Sequence, residues 1–259
     1  MKHTTKTLLL AAHGSSRPSE DNPVTVLAGR LRALDIFADV RCGFLKGELL
    51  LADVLADIKT PELIVVPMLS GHGYITDSLI PDALTALNKN INVRLCEPLG
   101  CHPAIAEVMA QRAQSIIVGQ NLERDSVSIL IAAHGNVGNP ENARQSRDLT
   151  GRIEKLIGGV QAHAAFIEEE PLISSWPALT PAENLIVLPF LIGGGLHGAE
   201  DVPVMLGLNA DDPALQTLSD ETPFIGPLIA QGRKIWYCRA LGFEPAMSDL
   251  VLELVRNEK

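Results

Sequence analysis

Three short segments carry side chains able to hold a divalent metal and to take up protons. IAAHGN places His134 directly before Gly135, FIEEEP sets Glu168, Glu169 and Glu170 in a row, and LIGGGLHGAED carries His197 behind three glycines. Two imidazoles and a carboxylate suit cobalt, iron, nickel or zinc, because imidazole is a good donor to first-row ions and the carboxylate offsets their charge. The same groups accept protons near neutral pH. A fourth candidate, His13, stands before Gly14 in LAAHGS. Taken singly, each has an ordinary reading: a strand-end His satisfied by a carbonyl, a solvated acidic turn, an incidental loop residue.

The segments recur at matched positions, which weighs against the ordinary readings. TLLLAAHGSSRP at 7–18 answers SILIAAHGNVGNP at 128–140, setting His13 against His134 at an offset of 121. FLKGE at 44–48 pairs with FIEEE at 166–170, and IVVPML at 64–69 with IVLPFL at 186–191, both at an offset of 122. A weaker pairing sets PLG at 98–100 against FIG at 224–226. Two homologous halves follow, 1–122 and 123–259.

Each half alternates short β-branched runs with segments of helical period, the pattern of βα units around a parallel sheet. Strands are expected near 7–12, 38–45, 62–67 and 92–96, and again near 127–132, 160–167 and 185–189, with a fourth somewhere in 215–225. Helices are expected near 22–34, 49–58, 77–87 and 103–115, and the tail 228–257 reads as two helices broken around Gly242 and Pro245. The expected fold is α/β, with two homologous doubly wound parallel-sheet lobes facing a central cleft. His134, Glu168 or Glu170, and His197 then lie past the carboxyl ends of the second lobe's strands, where open sheets bind ligands.

The halves are not equally equipped. Lys46 aligns with Glu168, Glu48 with Glu170, and Ile75 with His197, while the nearest histidine, His72, comes three residues before Ile75. A lysine repels a metal ion, so the second half is expected to be the catalytic one. A net charge of −10 over 259 residues argues against nucleic acid or an anionic membrane as partner, since phosphate recognition needs clustered Lys and Arg. With 46% hydrophobic and 20% charged residues the chain can bury a core. Four cysteines, with no CxxC pair, point to a reducing compartment, and His13 interrupts the apolar run at 8–12 before it reaches leader length. A cytoplasmic location is expected.

These motifs resemble those of the sirohydrochlorin chelatases, the type II chelatases that insert cobalt or iron into sirohydrochlorin. The resemblance rests on LLLAAHGSSRP and LIAAHGN, on FIEEEP, on VVPML and VLPFL, and on GGGLHGAEDVP, and it covers both halves. It implies that His134 and His197 hold the metal, that the acidic partner is Glu168 with Glu170 close behind, and that His13 faces the macrocycle from the opposite wall as base or supporting group. It also implies a tetrapyrrole substrate, a divalent metal as co-substrate (Co²⁺ or Fe²⁺, with Ni²⁺ accepted by the same donors), and no organic cofactor. Arg17, Arg144 and Arg147, near the first-helix N-termini after each HG motif, are candidates for the ring's carboxylates. Because the two halves are fused, a monomer is expected. The main alternative is a two-lobed metal or tetrapyrrole carrier without turnover. A hydrolase is disfavoured, because no GxSxG elbow is present and Asn136 replaces the serine that follows His13-Gly14. Cys96 and Cys101 lack the further close cysteines that an iron–sulfur cluster needs.

Overall fold

Strand β1 (His3–Gly14) occupies the middle of the first sheet because nothing polar interrupts its centre, where Leu8, Leu9, Leu10 and Ala11 are fully buried. A strand covered on both faces must be apolar at every position instead of alternating. Around it lie β2 (Phe37–Lys46), β3 (Glu62–Pro67) and β4 (Asn92–Leu95) in the order β2-β1-β3-β4, all parallel. Helix α1 (Pro23–Ala33) starts where Asn22 accepts the Val24 N–H at 2.9 Å, with Pro23 in the first turn. Helices α2 (Leu51–Ala56) and α3 (Ile80–Leu84) set Leu51, Val54, Leu55 and Ile80 against Leu9, Leu63 and Val65. The computed structural model describes residues 3–14, 22–138, 140–192, 201–209 and 211–256.

The second sheet repeats this plan on β5 (Val127–Ala133), β6 (Gln161–Phe166) and β7 (Asn184–Pro189), with α5 (Pro140–Ile157) and α6 (Trp176–Leu179) between them and α7 (Val202–Met205) after β7. Even the register is copied. Ala11 opposes Pro67 as Ala132 opposes Pro189, and Ala12 opposes Phe44 as Ala133 opposes Phe166. Single bridges, Phe44 to Leu50 and Phe166 to Leu172, close both second-strand loops. The α/β class and the two sheets therefore agree with the reading of the sequence. In each sheet the strand order reverses between the first and third strands, so the loops after β1 and β3, and those after β5 and β7, flank a switch point.

The fourth strand of the second half lies elsewhere than expected. The stretch 215–225 holds a 3₁₀ turn at Leu215–Thr217 and the start of β8 (Phe224–Ala230), which runs antiparallel to β9 (Arg233–Cys238). It is β9 that lies parallel beside β7, giving the order β6-β5-β7-β9-β8. The tail is thus a hairpin and one helix, α8 (Met247–Arg256), instead of two helices. Gln231 and Gly232 both take positive φ, the backbone of a two-residue hairpin turn, and Ile235, Trp236, Tyr237 and Cys238 are all buried as a strand demands. The inserted hairpin also corrects the fourth repeat match. The 3₁₀ turn Leu99–Cys101 after β4 corresponds to Leu241–Phe243 after β9, so Pro98–Gly100 answers 240–242 and not 224–226. The helix expected at 77–87 begins as a π-helical turn, Ile75–Leu79, because Pro81 offers no N–H to close an α-turn onto Asp77.

The compact units also differ from the halves 1–122 and 123–259. Of the described residues, one unit holds those up to His102, Ile192, and those from Pro245 onward; the other holds 103–191 and 201–244. Helix α4 (Ile105–Gly119), which follows β4 in the chain, packs on β7 and α5, while α8, which follows β9, packs on α1 and β3. Polar ties hold each helix in place. Arg112 of α4 makes a two-pronged bond to Glu244 at 2.7 and 2.8 Å with both side chains largely buried, and in the other unit Arg94 donates to the Val255 carbonyl at 2.6 Å. No described helix is long and apolar enough to cross a membrane.

Candidate active site

His134 follows β5 where the chain turns sharply. Gly135 takes φ +74°, and a Cβ there would come within 2.8 Å of Glu169 Cγ and 2.9 Å of Phe166 Cβ, so no other residue fits. The turn sets His134 against the end of β6: Ile167 N–H donates to the His134 carbonyl at 3.1 Å and Glu168 N–H to the same oxygen at 3.0 Å. His134 Nδ1 lies 2.9 Å from the Gly135 carbonyl and 3.6 Å from Glu168 Oε2. A proton on Nδ1, donated to that carbonyl, leaves the ring's lone pair on Nε2, the form in which imidazole binds a metal. The two side chains are 43% and 55% exposed, so an ion can reach them from solution.

The structure separates the three adjacent glutamates. Glu168 meets His134. Glu169 turns inward, is only 13% exposed, and accepts the Asn136 N–H at 2.7 Å. Glu170 accepts the Leu172 N–H at 3.1 Å, a bond within its own loop. Arg147 is turned to Glu169 at 3.6 Å, to the Glu170 carbonyl at 3.3 Å and over the Phe166 ring at 5.2 Å. Arg144 pairs with Glu141 and with Asp148 along the exposed face of α5. Arg17 and His197 lie outside the described residues. Among the described residues no group of three or more His, Cys, Asp and Glu is disposed to hold a metal; of the set expected from the sequence, His134 and Glu168 are brought together.

In the first unit His13 ends β1 in the same way, exposed and followed by Gly14 at φ +78°. Lys46 lies opposite Gly14, in the place Glu168 takes in the other unit. His72 stands in the loop after β3 with Nδ1 at 3.2 Å from Asp77 Oδ1 and Nε2 at 2.8 Å from Glu97 Oε2. Partial burial opposes its charge, but the bonds to Asp77 and Glu97 prevail and raise its pKa above 6.5. The protonated ring is favoured by folding, so its contribution is complete below pH 6.5 and is lost as pH rises through the raised value. An NMR titration of the His72 ring is expected to show a midpoint above 6.5, falling back toward it in Asp77→Asn. Two more histidines are structural: His102 is buried against Glu253 at 3.3 Å, and burial within β6 lowers the pKa of His163 against the pull of Glu154.

Two features of this region were not legible in the sequence. Glu169 looked like one of three solvated acids, and only its place over the Gly135–Asn136 turn distinguishes it. Val137 is 81% exposed in that same turn, a bare apolar side chain three residues past His134. Its signal was a valine in an otherwise polar turn sequence, His-Gly-Asn-Val-Gly-Asn.

The fold, with two such sheets in one chain, resembles solved structures that include chelatases. DR2241 of Deinococcus radiodurans, described as a multi-domain protein with structural similarity to chelatases, superposes with a TM-score of 0.70 at 23% identity; the match covers 97% of this chain and 54% of that one, so this chain spans about half of its length. The sirohydrochlorin chelatase SirB of Bacillus subtilis subspecies spizizenii, solved with cobalt, superposes with a TM-score of 0.67 at 16% identity over 99% of this chain and 94% of that one. In sequence, a probable sirohydrochlorin cobaltochelatase of Halobacterium salinarum is 27% identical over 269 residues, covering 95% of this chain and 89% of the relative. The CbiX family model matches twice, at 7–116 and 128–258. The chain belongs to the CbiX family and carries its unit in duplicate.

Proposed function

We propose that this protein is a chelatase that inserts a divalent metal, cobalt or iron, into sirohydrochlorin. The observation that carries this reading is the meeting of His134 and Glu168 at neighbouring strand ends, beside the switch point of the second sheet, in a chain of the CbiX family. Insertion exchanges two pyrrolic protons for M²⁺ with no change of oxidation state, so it requires a metal donor and a proton acceptor but no organic cofactor. His134 presents Nε2 to the metal, Glu168 balances the charge and accepts protons, and His197 is the third ligand assigned from the sequence. His13, at the matching strand end of the other unit, is the candidate second base.

Glu170 is not put forward as a ligand, since its carboxylate is engaged by Leu172 N–H. Arg144 is the candidate for a ring carboxylate: its pairs with Glu141 and Asp148 are exposed and screened by solvent, so a ring carboxylate can displace them. Val137 supplies apolar surface for the macrocycle. Nickel fits the same donors, and selection among these ions follows supply as much as affinity. With both units in one chain the protein is proposed to act as a monomer, and its free thiols suit the cytoplasm.

The test is anaerobic visible spectroscopy with sirohydrochlorin and Co²⁺ or Fe²⁺, each in large excess over protein, against a protein-free control. A chelatase converts many equivalents to the metallated bands. Conversion that stops at one equivalent, or a bound but unmetallated spectrum, would establish the carrier instead.

A further inference from the structure

We infer that Glu169 is a positioning residue of the metal site, holding the turn that aims His134, and that Arg147 serves as its counter-cation and not as a contact to the ring. This rests on the reading of His134 as a metal ligand. The connections are continuous within one unit. Glu169 Oε2 accepts the Asn136 N–H at 2.7 Å, and Asn136 Oδ1 accepts the Gly138 N–H at 2.9 Å, so the residue two past His134 is pinned on both sides. Gly135, between them, packs against Glu169, since a Cβ added there would come within 2.8 Å of Glu169 Cγ. On its other oxygen Glu169 faces Arg147 at 3.6 Å, and Arg147 is itself steadied over Phe166 and by the Glu170 carbonyl.

A carboxylate 13% exposed beside two that are open to solvent is costly to bury unless it is bonded and its charge is met, and here both conditions hold. What it obtains is a fixed backbone beneath a histidine whose Nδ1 lies 2.9 Å from the Gly135 carbonyl within the same turn. The first unit lacks the device. The residue aligned with Glu169 is Gly47, which has no side chain to reach the His13 turn, and Lys46 stands beside it where Glu168 would be. The support accompanies Glu168 in one unit, and the matching positions of the other hold Lys46 and Gly47, as expected of a part of the site and not of general scaffolding.

The test uses the full-length protein and Co²⁺ alone, followed by its visible d–d bands. Glu169→Leu, which removes the acceptor, is expected to weaken Co²⁺ binding about tenfold or more and to alter the band shape, in line with groups that orient metal ligands. Glu169→Gln keeps an oxygen for the Asn136 N–H and is expected to stay within about threefold of wild type with an unchanged spectrum. Arg147→Ala is expected to weaken binding less than Glu169→Leu. A Glu169→Leu protein that melts lower but binds Co²⁺ with wild-type affinity and spectrum would overturn the inference, leaving only a structural role. If that variant does not fold, amide exchange in the wild type decides: an Asn136 N–H slowed at least about a hundredfold supports the bond, and one exchanging at the unprotected rate overturns it. His134→Ala separates the two levels. Loss of Co²⁺ binding there with a normal Glu169→Leu sinks the positioning role alone, whereas wild-type binding by His134→Ala sinks the reading of the site.

Discussion

Replacing His134 by alanine is expected to lower kcat/KM for cobalt insertion by at least about a hundredfold while leaving the thermal midpoint within a few degrees of wild type. The size follows from its place. Supporting groups around a metal ligand already cost about 10–100-fold when removed, so loss of the ligand itself should cost more. A hundredfold corresponds to about 2.7 kcal/mol of lost transition-state stabilisation. Stability should be spared because the side chain is 43% exposed, while the strand end is held by backbone bonds from Ile167 and Glu168 that survive the change. Steady-state kinetics at varied Co²⁺, with a melting curve on the same sample, checks both halves of the prediction. Unaltered kinetics would remove His134 from the site.

The second large effect is expected from Glu168→Lys, which gives the second unit the residue the first already has at Lys46. The carboxylate now stands 3.6 Å from the His134 ring. An ammonium in its place repels a divalent ion with about 4 kcal/mol per unit charge at 4 Å and an effective dielectric near 20, and solvent and salt reduce this at a half-exposed position. Even a residual of about 2.7 kcal/mol means a hundredfold rise in the Co²⁺ dissociation constant. Glu168→Gln, which removes the charge without reversing it, should fall between the two. Isothermal titration of Co²⁺ into the three proteins orders them, and equal affinities would show that the metal does not sit beside Glu168.

The parts that could be read from the sequence were those the repeat states twice. Phe44 and Phe166 recur with the same following bridge, and Ala11 and Ala132 face Pro67 and Pro189, so strand ends and the histidines after them fell where the offset of 121 or 122 put them. Where the second half inserts its β8–β9 hairpin that offset stops holding, and the strand expected somewhere in 215–225 is met there only by the start of β8. A repeat also says which helix follows which strand but not which sheet the helix covers, so the placing of α4 on β7 and α8 on β3 was not legible. Three adjacent glutamates are chemically alike in one dimension. Only the bend after Phe166 turns Glu168 to the histidine, Glu169 to Asn136 and Glu170 to Leu172. Arg147 was marked for its charge near a helix start, and its partner was hidden in that same row of acids.

The most direct measurement is X-ray absorption at the cobalt edge of protein loaded with one equivalent of Co²⁺, taken on wild type and on His134→Ala. A site built at the strand ends of the second unit predicts imidazole scattering in a mixed nitrogen and oxygen shell, with one imidazole lost in the variant. A shell of oxygen alone, or an identical spectrum from the variant, would contradict it.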